Sequence, residues 1–354
     1  MSNRQSRLCS ALSRAALVLL ALGSIGAAPG SRFGAQDPGS RNGELLLRSG
    51  RFSHAAQAFG RVLERDPDNL ASNFGLGAAL SNLGRCDEAV AAFDKVRDQP
   101  VFRADGFLAE AQCGLRQGDI SGSLERLEEA VAIARRRPDA WFQYAIVLNY
   151  TGRREEALQA VETLSGFDRE GTLTQLARAR MALGTEDYWY ERMRLDDKLR
   201  TTTKLGLLGQ AHVLEGRALL LDGAPAVARD VLMKAVRLDL RSHQFAGWRA
   251  EACRRAGDME CAQFAMNRPA LLRSDRPPVN YAFHARVKTD AGDLAGAQAE
   301  LDLHPDPVDP EYVASAWYLA RARGQDTTRL EALYEIVRRP DSGDLSLLIP
   351  RSAP

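Results

Sequence analysis

The stretch LGRCDEAVAAFDKV, residues 83–96, reads as a helix entered through a glycine, with Ala89, Phe93 and Val96 placed five, nine and twelve residues after Gly84. The same layout returns at 151–164 as TGRREEALQAVETL. Working outward, Gly50, Gly84, Gly118 and Gly152 stand 34 residues apart. A small residue follows each by five places (Ala55, Ala89, Ser123, Ala157), and a bulky apolar one by nine (Phe59, Phe93, Leu127, Val161). Val62, Val96, Ala130 and Leu164 fill the place at twelve. Four columns agreeing on one period mark an internal repeat. The grid resumes at Gly223, Gly257 and Gly292 with Ala228, Ala262 and Ala297, then Leu232, Met266 and Leu301. A weaker unit centres on Gly324. Between the blocks, 171–204 reads as a degenerate unit around Gly184, where Trp189 occupies the small-residue place and Thr201-Thr202-Thr203 marks a seam.

Each unit reads as two helices and a turn. Ahead of the glycine, Leu76, Gly77, Leu80 and Leu83 recur at helical spacing, as Ala89, Val90, Phe93 and Val96 do after it. Glycine supplies the left-handed conformation that ends the first helix. The small residue lets two antiparallel axes approach, and Asp66-Pro67 and Arg137-Pro138 close units because proline disfavours helix in the preceding residue. A lone hairpin cannot bury its apolar stripe, so neighbours must stack on it. The expected fold is all-α, an α-α hairpin repeat solenoid of about eight or nine hairpins.

The second-half segments above, with FGLGAALSNLG (74–84) and WFQYAIVLNYTG (141–152) as first halves, resemble tetratricopeptide (TPR) repeats over roughly residues 40–340. The resemblance is close in 40–168 and 209–302, and poor in 171–204 and after 305. It implies a right-handed superhelix whose groove binds peptides or protein surfaces, and a family most of whose members are not enzymes. The layout expected is a signal peptide at 1–28, a flexible linker at 29–40, repeats at 41–170, the degenerate seam at 171–204, repeats at 205–340 and a tail at 341–354. In such arrays the first helices line the groove. Phe74, Leu108 and Phe142 recur there every 34 residues, Asn82, Arg116 and Tyr150 share a later site, and Ile146 and Asn149 lie on nearby turns. The resemblance thus implies an apolar strip edged by amides and one guanidinium. Chaperone-binding members of the family grip a terminal carboxylate with Lys and Asn, but the comparable sites here are apolar or neutral, so that activity is not carried over.

Composition narrows the function classes. The 354 residues are 45% hydrophobic and 26% charged, and 47 basic side chains balance 46 acidic ones. A formal charge of +1 offers no field to draw in a polyanion, which argues against bulk nucleic-acid binding. Lysine occurs at only five positions, so arginine supplies nearly all the basic residues, a skew that reads as codon usage. Residues 1–36 hold no acid, and Arg4, Arg7 and Arg14 precede an apolar run from Ala15 to Ile25 followed by Gly26, Ala27 and Ala28. That run falls short of the roughly 20 residues of a membrane span. Charged start, short apolar core and small-residue exit make a secretory signal, cleaved near Ala27 or Ala28, with an uncleaved anchor or a mitochondrial transit peptide as alternatives.

Motifs for chemistry are absent. His54, His212, His243, His284 and His304 lack metal-ligand spacing, and neither a phosphate-binding loop nor a nucleophile elbow occurs. No catalytic residue, metal or cofactor is therefore expected. Glu128-Glu129, Glu155-Glu156 and Asp196-Asp197 read as solvated helix faces, and Arg135-Arg136-Arg137 as a helix C-terminal cluster with an anion patch as the alternative. Removal of the leader with Cys9 leaves four cysteines in an oxidising compartment. On the repeat grid Cys86 and Cys113 fall at one end of the stack, and Cys253 and Cys261 flank Gly257, so each pair is a candidate disulfide, with buried free thiols as the alternative. The expected function is a non-catalytic scaffold or assembly factor for a protein or peptide partner in the bacterial envelope, periplasmic or secreted. Two alternatives stand beside it: an enzyme or small-ligand binder using Tyr188, Trp189 and Tyr190 in the irregular 185–204 region, and a structural subunit of a larger complex.

Overall fold

The computed structural model describes residues 37–117, 119–200, 202, 205–272, 280–304, 307 and 309–350; the expected signal and Cys9 lie outside the described residues. Among these, 18 α-helices and no strand occur, paired as hairpins. The described residues fall into two compact units, 37–160 and 161–350.

In the first unit, Pro38–Arg48 (α1) pairs with Phe52–Leu63 (α2), Leu70–Asn82 (α3) with Cys86–Asp94 (α4), and Pro100–Gln117 (α5) with Ile120–Ile133 (α6). Pro138–Tyr150 (α7) and Arg154–Asp168 (α8) follow, and the division between the units falls inside α8. The first helix begins within the expected linker because Asp37 accepts the Gly39 amide and Pro38 pre-sets the first turn.

The second unit continues with Thr172–Ala182 (α9), Tyr188–Leu199 (α10), Leu205–Leu221 (α11), Pro225–Leu238 (α12), His243–Arg255 (α13) and Met259–Leu271 (α14). Tyr281–Asp290 (α15), Leu294–Asp302 (α16), Pro310–Ala322 (α17) and Thr328–Val337 (α18) complete it, and a 3₁₀ turn at Leu345–Leu348 follows.

The glycine grid is realised as backbone. Gly84 has φ 77° and the Arg85 amide donates to Leu80 O at 3.0 Å, the left-handed stop of a Schellman motif. The same bond recurs from Arg153 to Leu148 O and from Asp258 to Cys253 O. At the small-residue place Ala55, Ala157, Ala228, Ala262 and Ala297 are each 0% exposed, which is what close approach of the two axes requires. A column absent from the sequence reading stands seven residues before the glycine: Gly43, Gly77 and Gly216, with alanine at 111, 145, 177, 250 and 285. A Cβ added at Gly77 would lie 2.7 Å from the Phe93 ring, and one at Gly216 2.4 Å from Leu232, in each case the bulky residue nine places after the same turn.

The unit at 171–204 keeps its hairpin. Gly184 has φ 82°, but α10 starts four residues after it, whereas α4 starts two residues after Gly84. The buried positions are Tyr188, Arg192 and Leu195, one residue earlier than the grid elsewhere, which turns Trp189 and Met193 out to solvent. The departure is a shift of register.

Candidate peptide-binding face

The apolar strip expected in the first unit is not open. Phe74 is 3% exposed, Leu108 2%, Phe142 0% and Ile146 1%. The first helices α3 and α5 each touch their own partner, the preceding second helix and a neighbouring first helix, so little of their surface reaches water. The Phe74 ring sits 5.8 Å from Phe93 and 5.1 Å from Phe102 of the next first helix, which makes it core. Asn82 is half-buried and donates to Ala78 O at 2.8 Å, and Asn149 accepts from Arg154 at 3.3 Å. Tyr150 is half-buried, and the Arg116 side chain lies outside the described ones.

The aromatic alternative at 185–204 does not converge on a pocket. Tyr188 is buried and Tyr190 exposed, as two residues about 200° apart around one helix must be. Trp189 meets Tyr188 edge-on at 5.0 Å, and the Arg194 guanidinium lies 5.9 Å over Tyr190.

Arg137 is an ion-pairing residue rather than part of an anion patch. It donates to Asp105 at 2.5 Å and to Asp139 at 2.7 Å, and Arg135 offers its carbonyl to the Trp141 indole. The three carboxylate pairs are exposed, with Glu156 paired to Arg153 and Asp196 to Arg192. Among the described residues no His, Cys, Asp and Glu cluster could hold a metal ion. The structure joins Cys86 to Cys113 and Cys253 to Cys261, with Cα atoms 5.3 and 5.7 Å apart. The first bridge ties α4 to α5 of the next hairpin; the second ties the ends of α13 and α14 across the Gly257 turn.

A row of arginines in the second unit's first helices falls outside the 34-residue grid. Arg180 on α9, Arg217 on α11 and Arg254 on α13 stand 37 residues apart, and that interval was the available signal. They face residues 339–348, which leave α18 and fold back across the first helices. Arg217 donates to the Asp341 carboxylate at 2.5 Å, and Arg254 to Leu348 O at 2.5 Å. Tyr334 donates to Ser342 O and Gly343 O, both at 3.1 Å. Leu348 is 4% exposed among Val313, Trp317, Tyr318 and Tyr334. A Cβ at Gly184 would lie 2.0 Å from Pro340 O, so the segment passes directly over that turn.

The electrostatics favour an anion. Burial opposes ionisation of Asp341, but the charges of Arg217 and Arg339, with the Arg217 hydrogen bond, hold its carboxyl down at about 2. Burial and the neighbouring Arg217 charge pull the Arg180 guanidinium down to about 10. Behind the row lies Glu251, 0% exposed, accepting from Arg254, Arg255 and Arg286 at 2.8 to 3.2 Å. Against its burial, those three guanidiniums hold the Glu251 carboxyl well below the usual carboxylate range. Arg254 also donates to Asp290 at 3.0 Å and lies 4.7 Å over the Tyr318 ring, which fixes the hand that reaches Leu348.

Residues 41–101 match the tetratricopeptide repeat family, on hairpins whose turns carry the 34-residue glycine grid. The chain carries tetratricopeptide repeats at 41–101. Among solved structures, one from the APC/C hetero-tetramer Cut9–Hcn1 is 15% identical with a TM-score of 0.50, covering 88% of this chain and 58% of that one. At that identity the likeness bears on the fold alone, a helical repeat solenoid. A tetratricopeptide repeat protein from Parabacteroides merdae is 13% identical (TM-score 0.42; 79% and 99% covered), and MamA is 17% identical (TM-score 0.38; 45% and 97% covered). No curated protein matches the sequence. As a tetratricopeptide repeat chain it belongs to a fold that serves protein interaction, and among its described residues no helix is long and apolar enough to cross a membrane.

Proposed function

We propose that this tetratricopeptide repeat chain is a non-catalytic scaffold that binds a protein or peptide partner in the bacterial cell envelope. The observation that carries the reading is the first-helix face of the second unit, where side chains from α11 and α13, with Tyr334 of α18 beside them, already hold a chain segment by its carboxylate and its carbonyls. A face that grips one segment through backbone and charge has the chemistry to grip another. Export is supported by the charged start and short apolar core before residue 29, and by the Cys86–Cys113 and Cys253–Cys261 pairs, which suit an oxidising compartment. A fusion of residues 1–40 to a reporter active only outside the cytoplasm should give signal; retention inside would reject the envelope assignment. Crosslinking in intact cells through a photoreactive residue at Leu221, whose side chain borders Gly343 of the held segment, should give one discrete adduct with an envelope protein, and its absence would count against the scaffold.

A further inference from the structure

The segment 339–349 crosses the second unit as a bound peptide would. It meets the face at two separate points: Asp341 on Arg217, with Arg180 and Arg339 beside it, and Leu348 in the apolar seat of Trp317, Tyr318 and Tyr334, seven residues further on. Between these points the backbone is satisfied by Tyr334 and Ser342 Oγ takes the Arg339 amide, so no side chain from 342 to 344 is itself gripped by a first helix. A segment with its own hydrophobic core would bury more than one large residue; this one fully buries Leu348 alone, with Leu345 and Leu347 half-buried next to it. On the face itself, Arg254 is braced from behind by Glu251 and Asp290, so its guanidinium stays oriented without the segment, and the Arg217 guanidinium lies 4.7 Å over the Trp248 ring.

Resting on the scaffold reading above, we propose that this face is a groove for a peptide carrying an acidic side chain and, seven residues C-terminal to it, a large apolar one, and that residues 339–349 fill it in cis as a built-in competitor. The partner must displace the segment before it binds, so affinity for the partner is set by how readily Asp341 leaves Arg217.

The test uses a fluorescent synthetic peptide of residues 338–350, RRPDSGDLSLLIP, and a chain ending at Val337. The shortened chain should bind the peptide, and the full chain should bind it at least tenfold more weakly. Asp341→Asn in the peptide, or Arg217→Met in the shortened chain, should each weaken binding tenfold or more. A peptide that keeps only the acid and the leucine at their seven-residue spacing should bind within tenfold of the parent, and a scrambled peptide should not bind. Equal binding by the full and shortened chains, or none by a shortened chain of native helicity, would overturn the proposal. Should the shortened chain fail to fold, a protease site inserted between Val337 and Arg338 allows cutting after folding. The severed segment should then exchange with labelled peptide, and a cut protein that never exchanges would show the segment to be a fixed part of the fold. Loss of peptide binding with the Leu221 crosslink intact would sink this inference alone; loss of the crosslink with peptide binding intact would sink the scaffold reading alone.

Discussion

At Glu251, three buried arginines share one carboxylate, while Arg254 also reaches Asp290 and Arg286 also reaches Glu311. Glu251→Gln should destabilise the second unit by roughly 3–5 kcal/mol, since it leaves three buried guanidiniums to two partly exposed acids at the edge of the cluster. Thermal melting followed by circular dichroism checks this; a change under about 1 kcal/mol would mean the arginines find water or other acceptors. Asp341 makes a pH statement. Its carboxyl is lowered from 3.8 to about 2, so the stabilisation from its ion pair with Arg217 is complete above about pH 4 and is lost as pH falls through about 2. The groups facing it are Arg217 on α11, Arg180 on α9 and Arg339 on its own segment. A carboxyl held down that far contributes about 2 kcal/mol. Protection of the 341–348 amides, taken against the unstructured chain at each pH, should fall between pH 4 and 2 as the segment releases, and unchanged protection would mean that the pair does not hold it. Phe74, expected to line a groove, lies instead between Phe93 and Phe102; Phe74→Ala should cost about 3–5 kcal/mol, measurable in urea.

Between turn and helix, the repeat is a fitting of one large residue into one small gap. Gly77→Ala places a methyl 2.7 Å from the Phe93 ring and should cost about 1–3 kcal/mol, and Phe93→Leu in the same chain should restore most of it. If the double variant is no better than the single one, the two positions are not a pair. The hairpins are legible in the sequence because glycine, small and bulky columns recur at fixed distances along one chain, and local periodicity is what a sequence displays. The gap seven residues before each glycine is not, because alanine and glycine in an apolar helix look like filler until their facing partner is seen. Trp189 reads as a lost repeat because the grid assumes a turn of constant length, whereas α10 starts two residues later than its counterparts and rotates its buried face by one position. The groove strip misleads for a different reason. The periodicity finds which residues are equivalent, but Leu108 and Phe142 are buried by neighbouring helices that the single repeat does not contain. The arginine face is illegible because its contacts join residues 124 and 94 positions apart in sequence, beyond any repeat.

Across the whole molecule, stability should be a chain of local couplings, because each hairpin meets mainly its neighbours. Urea unfolding should pass through intermediates, and a single sharp transition seen identically by Trp fluorescence and circular dichroism would contradict this. Non-reducing peptide mapping of mature protein should return Cys86–Cys113 and Cys253–Cys261 and no other pairing; four freely alkylated thiols would reject both. The two bridges also decide how the protein answers tension. A chain held at its ends and stretched yields length as helices open, yet the residues enclosed by a disulfide stay off the load path. With a separation of 27 residues from Cys86 to Cys113, roughly 90 Å of contour at about 3.5 Å per residue remains hidden until the bond is reduced. The loop of 8 residues from Cys253 to Cys261 hides far less, but it keeps the Gly257 turn shut while the helices on either side are drawn out. A force spectrum recorded with and without reductant would therefore differ in length more than in the height of its peaks, and the missing length would identify which repeats had already given way.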